Sequence, residues 1–259
     1  MDGVRVGRFF YTRPMQNLKF TIRYDGTKFF GWQTQRGFRT VQETVEKAIS
    51  TITCEPRIRI NGSGRTDRGV HALAQTFNVY TANSLPLDIL VKAINSQLPA
   101  DVVLLDCVVV GQAFDANKDA VAKRYRYCIN DTRIPDPFLR WYAYQPRRVV
   151  DHERMHTAAQ VLLGRHDFRC FETEWPNRMT SIRTIQDIAV TRHDAQVWIE
   201  AQADGFLYNM MRSIAGTLYQ IGRGYWPVEK MQEILLGMDR REAGPTAPPQ
   251  GLFLLWVRY

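Results

Sequence analysis

The apolar residues of this chain change their spacing in the same order twice, and that order leaves few folds open. Leu18 to Tyr24 alternates as a strand does, and the DGTKFFGWQTQRG stretch after it carries the glycine, aspartate and aromatic residues of a long loop. Thr40 and Glu43 have the spacing of a capping box, with Val41, Val45, Ala48 and Ile49 recurring behind them at helical intervals. Strands at 57–62 and 74–81, a helix at 87–97 and a strand at 102–110 complete a βαββαβ run. The second half begins the order again with a strand at 121–129, a helix at 152–163 and strands at 183–192 and 195–203. A helix at 208–221, an added helix at 229–236 and a strand at 252–258 close it.

Two successive units of this kind predict an α+β protein made of two ferredoxin-like halves. Their mostly antiparallel sheets join, with helices on one side and an open face on the other. The residues themselves do not repeat between the halves. Polar residues from Gly111 to Asp119 separate two strand signals, which sets the halves at 18–115 and 116–259 behind a basic extension of residues 1–17.

Charge narrows the partners. Lys and Arg total 34 against 26 Asp and Glu, a net charge of +8, which suits a polyanion such as nucleic acid or an acidic membrane surface. No apolar run approaches the length of a membrane helix. Cys54, Cys107, Cys128 and Cys170 show no C-x-x-C spacing, so neither a zinc ribbon nor a disulfide framework is expected. The first 17 residues place Arg5, Arg8 and Arg13 around Phe9, Phe10 and Tyr11 without the apolar core of a secretory signal, so a cytoplasmic protein is expected.

Three strings have the outline of known chemistry. His152-Glu153-Arg154-Met155-His156 is a literal H-E-x-x-H, which on a helix brings two imidazoles within reach of one zinc ion. Ala159 and Leu162 stand where the longer zinc motif needs glycine and a third histidine, and Asp151 reads as the N-cap of an exposed first turn. Gly64 to Gly69 has the glycine spacing of a phosphate-binding loop, but Val70 and His71 replace its Lys and Ser/Thr. Asp67 also stands where a dinucleotide fingerprint needs its third glycine. Read for charge, the same stretch sets Asp67 between Arg65 and Arg68 on a glycine-flanked turn, an arrangement that favours an ionised carboxylate.

The segment GRTDRGVHALAQ resembles the G-R-T-D-x-G-V-H-A motif of the TruA family of tRNA pseudouridine synthases. The similarity runs from Leu18 to Val257, through YDGTKFFGWQTQ, TVQETVEKAI, NSQLPADV, KRYRY, LLGRHDF, FLYNMMRSIAGTL, IGRG and the terminal GLFLLWV in order. What the resemblance implies is an isomerase that turns uridine into pseudouridine at positions 38–40 of the tRNA anticodon arm, with no cofactor and no metal. It also implies a homodimer and a central RNA-binding cleft between the halves. Position by position, Asp67 is the implied nucleophile, Arg65 its neighbour that orients it or touches RNA, Tyr125 the ring that stacks on the uracil, and Arg212 the partner of Asp67 from the second half.

Two departures stand out. FDAN at Phe114 to Asn117 replaces an F-x-A-R pattern of the family, so an arginine is missing, and HDFRCFETEWPNRMTSIRTI carries extra charged and aromatic residues. Two other classes of function stay open on the residues alone: a zinc hydrolase built on His152, Glu153 and His156, and an RNA-binding protein without catalysis.

Overall fold

The computed structural model describes residues 15–173 and 180–259. Its elements are β1 (Gln16–Tyr24), α1 (Val41–Thr53), β2 (Ile60–Gly62), β3 (His71–Thr81), α2 (Leu87–Asn95), β4 (Val102–Val110) and β5 (Ala122–Asn130). Then come α3 (His152–Ala159), β6 (Gly164–Asp167), β7 (Ile182–His193), β8 (Gln196–Ala203), α4 (Met210–Gly222), α5 (Lys230–Gly237) and β9 (Leu252–Arg258). Most of the N-terminal extension and residues 174–179 of the charged insertion lie outside the described residues.

The strands form one nine-stranded sheet in the order β4-β1-β3-β9-β5-β8-β7-β6, with β2 paired to β3 off that path. Every pairing is antiparallel except the short β3–β9 contact, His71 with Phe253 and Ala72 with Leu254, where strands of the N-terminal and C-terminal parts of the chain meet; the C-terminal part departs from the expected order by one extra strand, β6. The α+β class and the joined sheet are as expected. In β1 the alternation puts Leu18, Phe20, Ile22 and Tyr24 into the core, and in β8 Val197, Ile199, Ala201 and Ala203 do the same. Val41, Val45, Ala48 and Ile49 of α1 bury one helical stripe against that layer.

Three local expectations change. Thr40 makes no side-chain cap, its hydroxyl is left without a partner, and Glu43 pairs with Lys47 one turn on, so the capping box does not form. The strand expected at 57–62 shrinks to three residues. The one expected at 74–81 starts at His71, because its first residues find their partner in β9, far away in sequence.

A second joint ties the halves beside that pairing. His71 is buried, and its Nδ1 accepts from the Gly26 N–H at 3.0 Å while Nε2 lies 2.8 Å from the Trp141 carbonyl oxygen. A carbonyl only accepts, so Nε2 carries the proton and the ring is neutral. Burial holds its pKa below the usual histidine range despite Asp25 at 3.1 Å, and the Tyr142 hydroxyl donates to the other oxygen of Asp25 at 2.7 Å.

Candidate active site

The turn carrying Asp67 is fixed by the loop that follows β1. Trp32 donates its N–H to the Thr66 carbonyl at 3.0 Å, Gly69 donates to Phe29, and the Thr66 and Tyr24 hydroxyls lie 2.8 Å apart in the core. Gly31, at φ +88°, passes so close that a Cβ there would sit 2.5 Å from the Thr66 oxygen. These contacts explain why the aromatic loop and the GRTDRG turn belong to one device: the first is the backing of the second.

Asp67 reaches across to the other half. Arg212, in the first turn of α4, donates from Nη1 to Asp67 Oδ2 at 2.9 Å, and the pair is 15% and 22% exposed on its side chains. Among the described residues Oδ1 of Asp67 has no hydrogen-bond partner. The guanidinium is itself held: Nε donates to the Ala247 carbonyl at 2.8 Å, and Nη1 also donates to Asn209 Oδ1 at 2.7 Å. Ala247 can approach because α4 carries glycine at position 216, where a Cβ would meet the Pro245 oxygen at 1.8 Å.

Tyr125 stands on β5 beside this pair. Its ring meets Phe206 edge-on, with centroids 4.9 Å apart, and is almost buried. Burial, and behind it the Asp67 carboxylate, push its phenol well above the ordinary tyrosine range, so the ring is neutral. Lys123, two residues earlier on the same strand, donates to the Ser63 carbonyl at 2.5 Å and ties β5 to the Asp67 turn.

These groups line a cleft of about 1490 Å³, larger than the roughly 300–1,000 Å³ of ordinary small-molecule pockets, as a polymer-binding site requires. Arg65, Arg68, Lys118, Lys123, Arg183 and Arg212 all border it. Arg65 is exposed and bonds nothing among the described residues, while Arg68 lies over the Phe30 ring at 4.2 Å. The expected flanking of Asp67 by Arg65 and Arg68 therefore gives way to one partner, Arg212, brought by the fold from 145 positions away.

The FDAN turn also touches the cleft. Asp115 accepts from the N–H groups of Asn117 and Lys118, the Ala116 N–H donates to Asn78, and Asn117 and Lys118 line the wall. The H-E-x-x-H residues lie elsewhere, at the start of α3. His156 Nδ1 accepts from the Val190 N–H at 3.2 Å, and no group of three metal-binding side chains occurs among the described residues. Nor is any described helix long and apolar enough to cross a membrane. Sequence reasoning singled out Asp67, Tyr125 and Arg212, which meet here, but missed Phe206, Asn209 and Ala247. The first two sit in the same FLYNMMR segment as Arg212, within six residues of it, and that proximity was the available signal.

A family model described as tRNA pseudouridine synthase matches residues 21–117 and 158–259 of this α+β chain, which include Asp67 and Arg212. Among relatives, tRNA pseudouridine synthase A of Acetivibrio thermocellus is 42% identical over 245 residues, covering 95% of this chain and 100% of that protein. The protein of the same name from Thermoanaerobacter sp. is 40% identical, and tRNA pseudouridine synthase A 2 of Clostridium perfringens 41%, each over 245 residues with the same coverage. The chain belongs to the tRNA pseudouridine synthase family, and is an isomerase.

Proposed function

We propose that this enzyme isomerises uridine at positions 38–40 of the tRNA anticodon arm, with Asp67 as nucleophile. The observation that carries the reading is the half-used carboxylate. Oδ2 is pinned by Arg212, whereas Oδ1 has no protein partner among the described residues, and Asp67 lines the cleft together with Tyr125. A fixed anion with a free lone pair suits an electron-poor ribose carbon. In the reaction the C1′–N1 bond breaks, the uracil turns, and a C1′–C5 bond forms; C5 gives up its proton and N1 gains one. Atoms and redox state balance without a cofactor.

A stacked uridine cannot reach Asp67, so the nucleotide flips outward and its base lies against Tyr125, with Phe206 behind. Arg65 at the exposed rim contacts the RNA backbone. The division at 115/116 makes one half carry the nucleophile and the other its partner and stacking ring. The enzyme works as a cytoplasmic homodimer in this reading, tested by light scattering on the purified protein: a monomer at working concentration removes that part.

The central test is pseudouridine mapping on an unmodified tRNA transcript by carbodiimide labelling. Signal at 38–40 with wild type and none with Asp67→Asn supports the assignment. Binding without conversion on several folded tRNAs refutes it.

A further inference from the structure

Arg212 is the only contact that aims Asp67 among the described residues, so whatever fixes Arg212 fixes the nucleophile. A guanidinium has five N–H donors in one plane. Here Nε is held by the Ala247 carbonyl, and Nη1 divides its two hydrogens between Asp67 and Asn209. Ala247 also donates its own N–H to the Arg212 carbonyl at 3.1 Å, so that side of the clamp is backbone on both ends. Asn209 is the one side chain in it besides Asp67.

Asn209 is also the one residue of α4's approach with an unusual backbone. It sits at the N-cap position with φ 60° and ψ 3°, in the left-handed region, and its side chain makes no cap bond to the helix. An N-cap asparagine ordinarily accepts from the first turn. This one spends its oxygen on Arg212 and donates its amide N–H to the Thr173 hydroxyl at 2.7 Å, which fixes which end of the amide faces the guanidinium. Strained backbone combined with a diverted cap, one turn from an ion-paired arginine, marks a residue kept for the site rather than for the helix.

We infer that Asn209 is a positioning residue: it holds the plane of Arg212 so that Nη1 stays on Asp67 while Nη2, unpartnered among the described residues, is presented to a substrate oxygen. The inference rests on the function proposed above and deepens it. Arg212 then binds substrate without letting go of Asp67, because its two edges serve different partners.

The test uses Asn209→Gly, whose backbone accepts φ +60° and whose lost amide is the only designed change, and Asn209→Asp, which restores an acceptor for Nη1 and can accept from the Thr173 hydroxyl. A crystal structure of the glycine variant is expected to show Arg212 withdrawn from Asp67. On a tRNA transcript its kcat falls about tenfold to a hundredfold while Kd for the RNA stays within about threefold, as a misplaced catalytic group would produce. The aspartate variant is expected to restore the pair and most of kcat. An intact Arg212–Asp67 pair in Asn209→Gly overturns the inference, as does an unchanged kcat with a weakened Kd, which would make Asn209 an RNA contact. If wild type converts no uridine the functional reading fails, and the place of Arg212 in the glycine variant still decides the positioning role.

Discussion

Two aspartate–arginine pairs in this molecule are alike in distance, 2.8 and 2.9 Å, and differ in what they leave unused. Asp131 takes Arg192 on both oxygens, at 3.1 and 2.8 Å, and Oδ2 also accepts from the Val150 N–H at 2.9 Å. Its side chain is 3% exposed. Burial alone would raise its pKa, but those donors outweigh it and hold the carboxyl below the usual range. Asp67, which lines the cleft, has one donor on one oxygen and none on the other among the described residues. A saturated carboxylate is a bolt between segments, here β5 and β7 with the start of α3, whereas a half-saturated one retains the lone pair that chemistry needs.

The largest test separates the two. Asp67→Asn is expected to lower turnover at least about a thousandfold while unfolding free energy moves by less than about 1 kcal/mol, since the amide oxygen can keep the Arg212 bond while its nitrogen takes the position of the unpartnered Oδ1. Asp131→Asn is expected to cost about 2–3 kcal/mol, because both buried oxygens already accept, so the amide nitrogen must face a donor of Arg192 or the Val150 N–H, and to leave turnover of the folded enzyme within about twofold. Denaturant unfolding beside a tritium-release assay on uridine labelled at C5 reads both. The contrast collapses if Asp67→Asn unfolds the protein or Asp131→Asn silences it.

Much of this site was legible in the residues, for identifiable reasons. Asp67, Tyr125 and Arg212 lie in strings specific enough to resemble one family, and the βαββαβ order of the first half follows from local apolar periodicity alone. What stayed hidden depends on tertiary partners. The early start of β3 needs Phe253 beside His71, and four-residue β6 has too few positions to show alternation. Arg65, two residues from Asp67, could have oriented it as well as touched RNA, yet the turn leaves it exposed, and Arg212, the partner the resemblance implied, holds the carboxylate alone among the described residues. Thr40 and Glu43 match a capping box in spacing, but Glu43 finds Lys47 first. Asn209 falls inside the helix expected at 208–221, but α4 starts at Met210 and the Asn209 side chain faces Arg212.

The open oxygen of Asp67 matters only if a base is held beside it, which makes Tyr125 the next test. Stacking on an aromatic ring is worth about 1–3 kcal/mol per base, so Tyr125→Ala should cost about tenfold to a hundredfold in kcat/KM. Tyr125→Phe keeps the ring and should stay within about threefold, since the hydroxyl makes no hydrogen bond among the described residues. Equal losses in both variants would move the role from the ring to the hydroxyl.

Acid sharpens the comparison from the stability side. The folded-state pKa of Asp131 is depressed, as is that of Glu200, where burial is outweighed by bonds from Arg124 and Arg126. Below their native values the unfolded chain no longer holds more protons, so their stabilisation is present above about pH 4 and is lost as pH falls through the depressed values. His71 adds an earlier step of the same direction. Its pKa is lowered by burial, so the unfolded chain takes up a proton first and stability begins to decline below about pH 6.5. Unfolding free energy measured from pH 8 to 3 should fall in these two stages, and His71→Gln should remove the first while keeping the second. A flat profile between pH 7 and 5 in wild type would mean that His71 does not stay neutral in the fold.

The smallest expected effect concerns two of the arginines that border the cleft. Arg212 is clamped on three donors and serves one carboxylate, while Arg65 is exposed and unbonded among the described residues, free to follow a flexible backbone. A loose cation at the rim adds affinity through counterion release rather than through aim, and each phosphate contact contributes roughly one unit to the salt dependence of binding. Arg65→Ala should therefore weaken tRNA binding a few-fold, reduce the slope of log K against log salt by about 0.9, and leave kcat at saturating RNA unchanged. A fall in kcat instead, with the salt slope intact, would give Arg65 a place beside Asp67 during the reaction, and the turn would then have to reorganise when RNA binds.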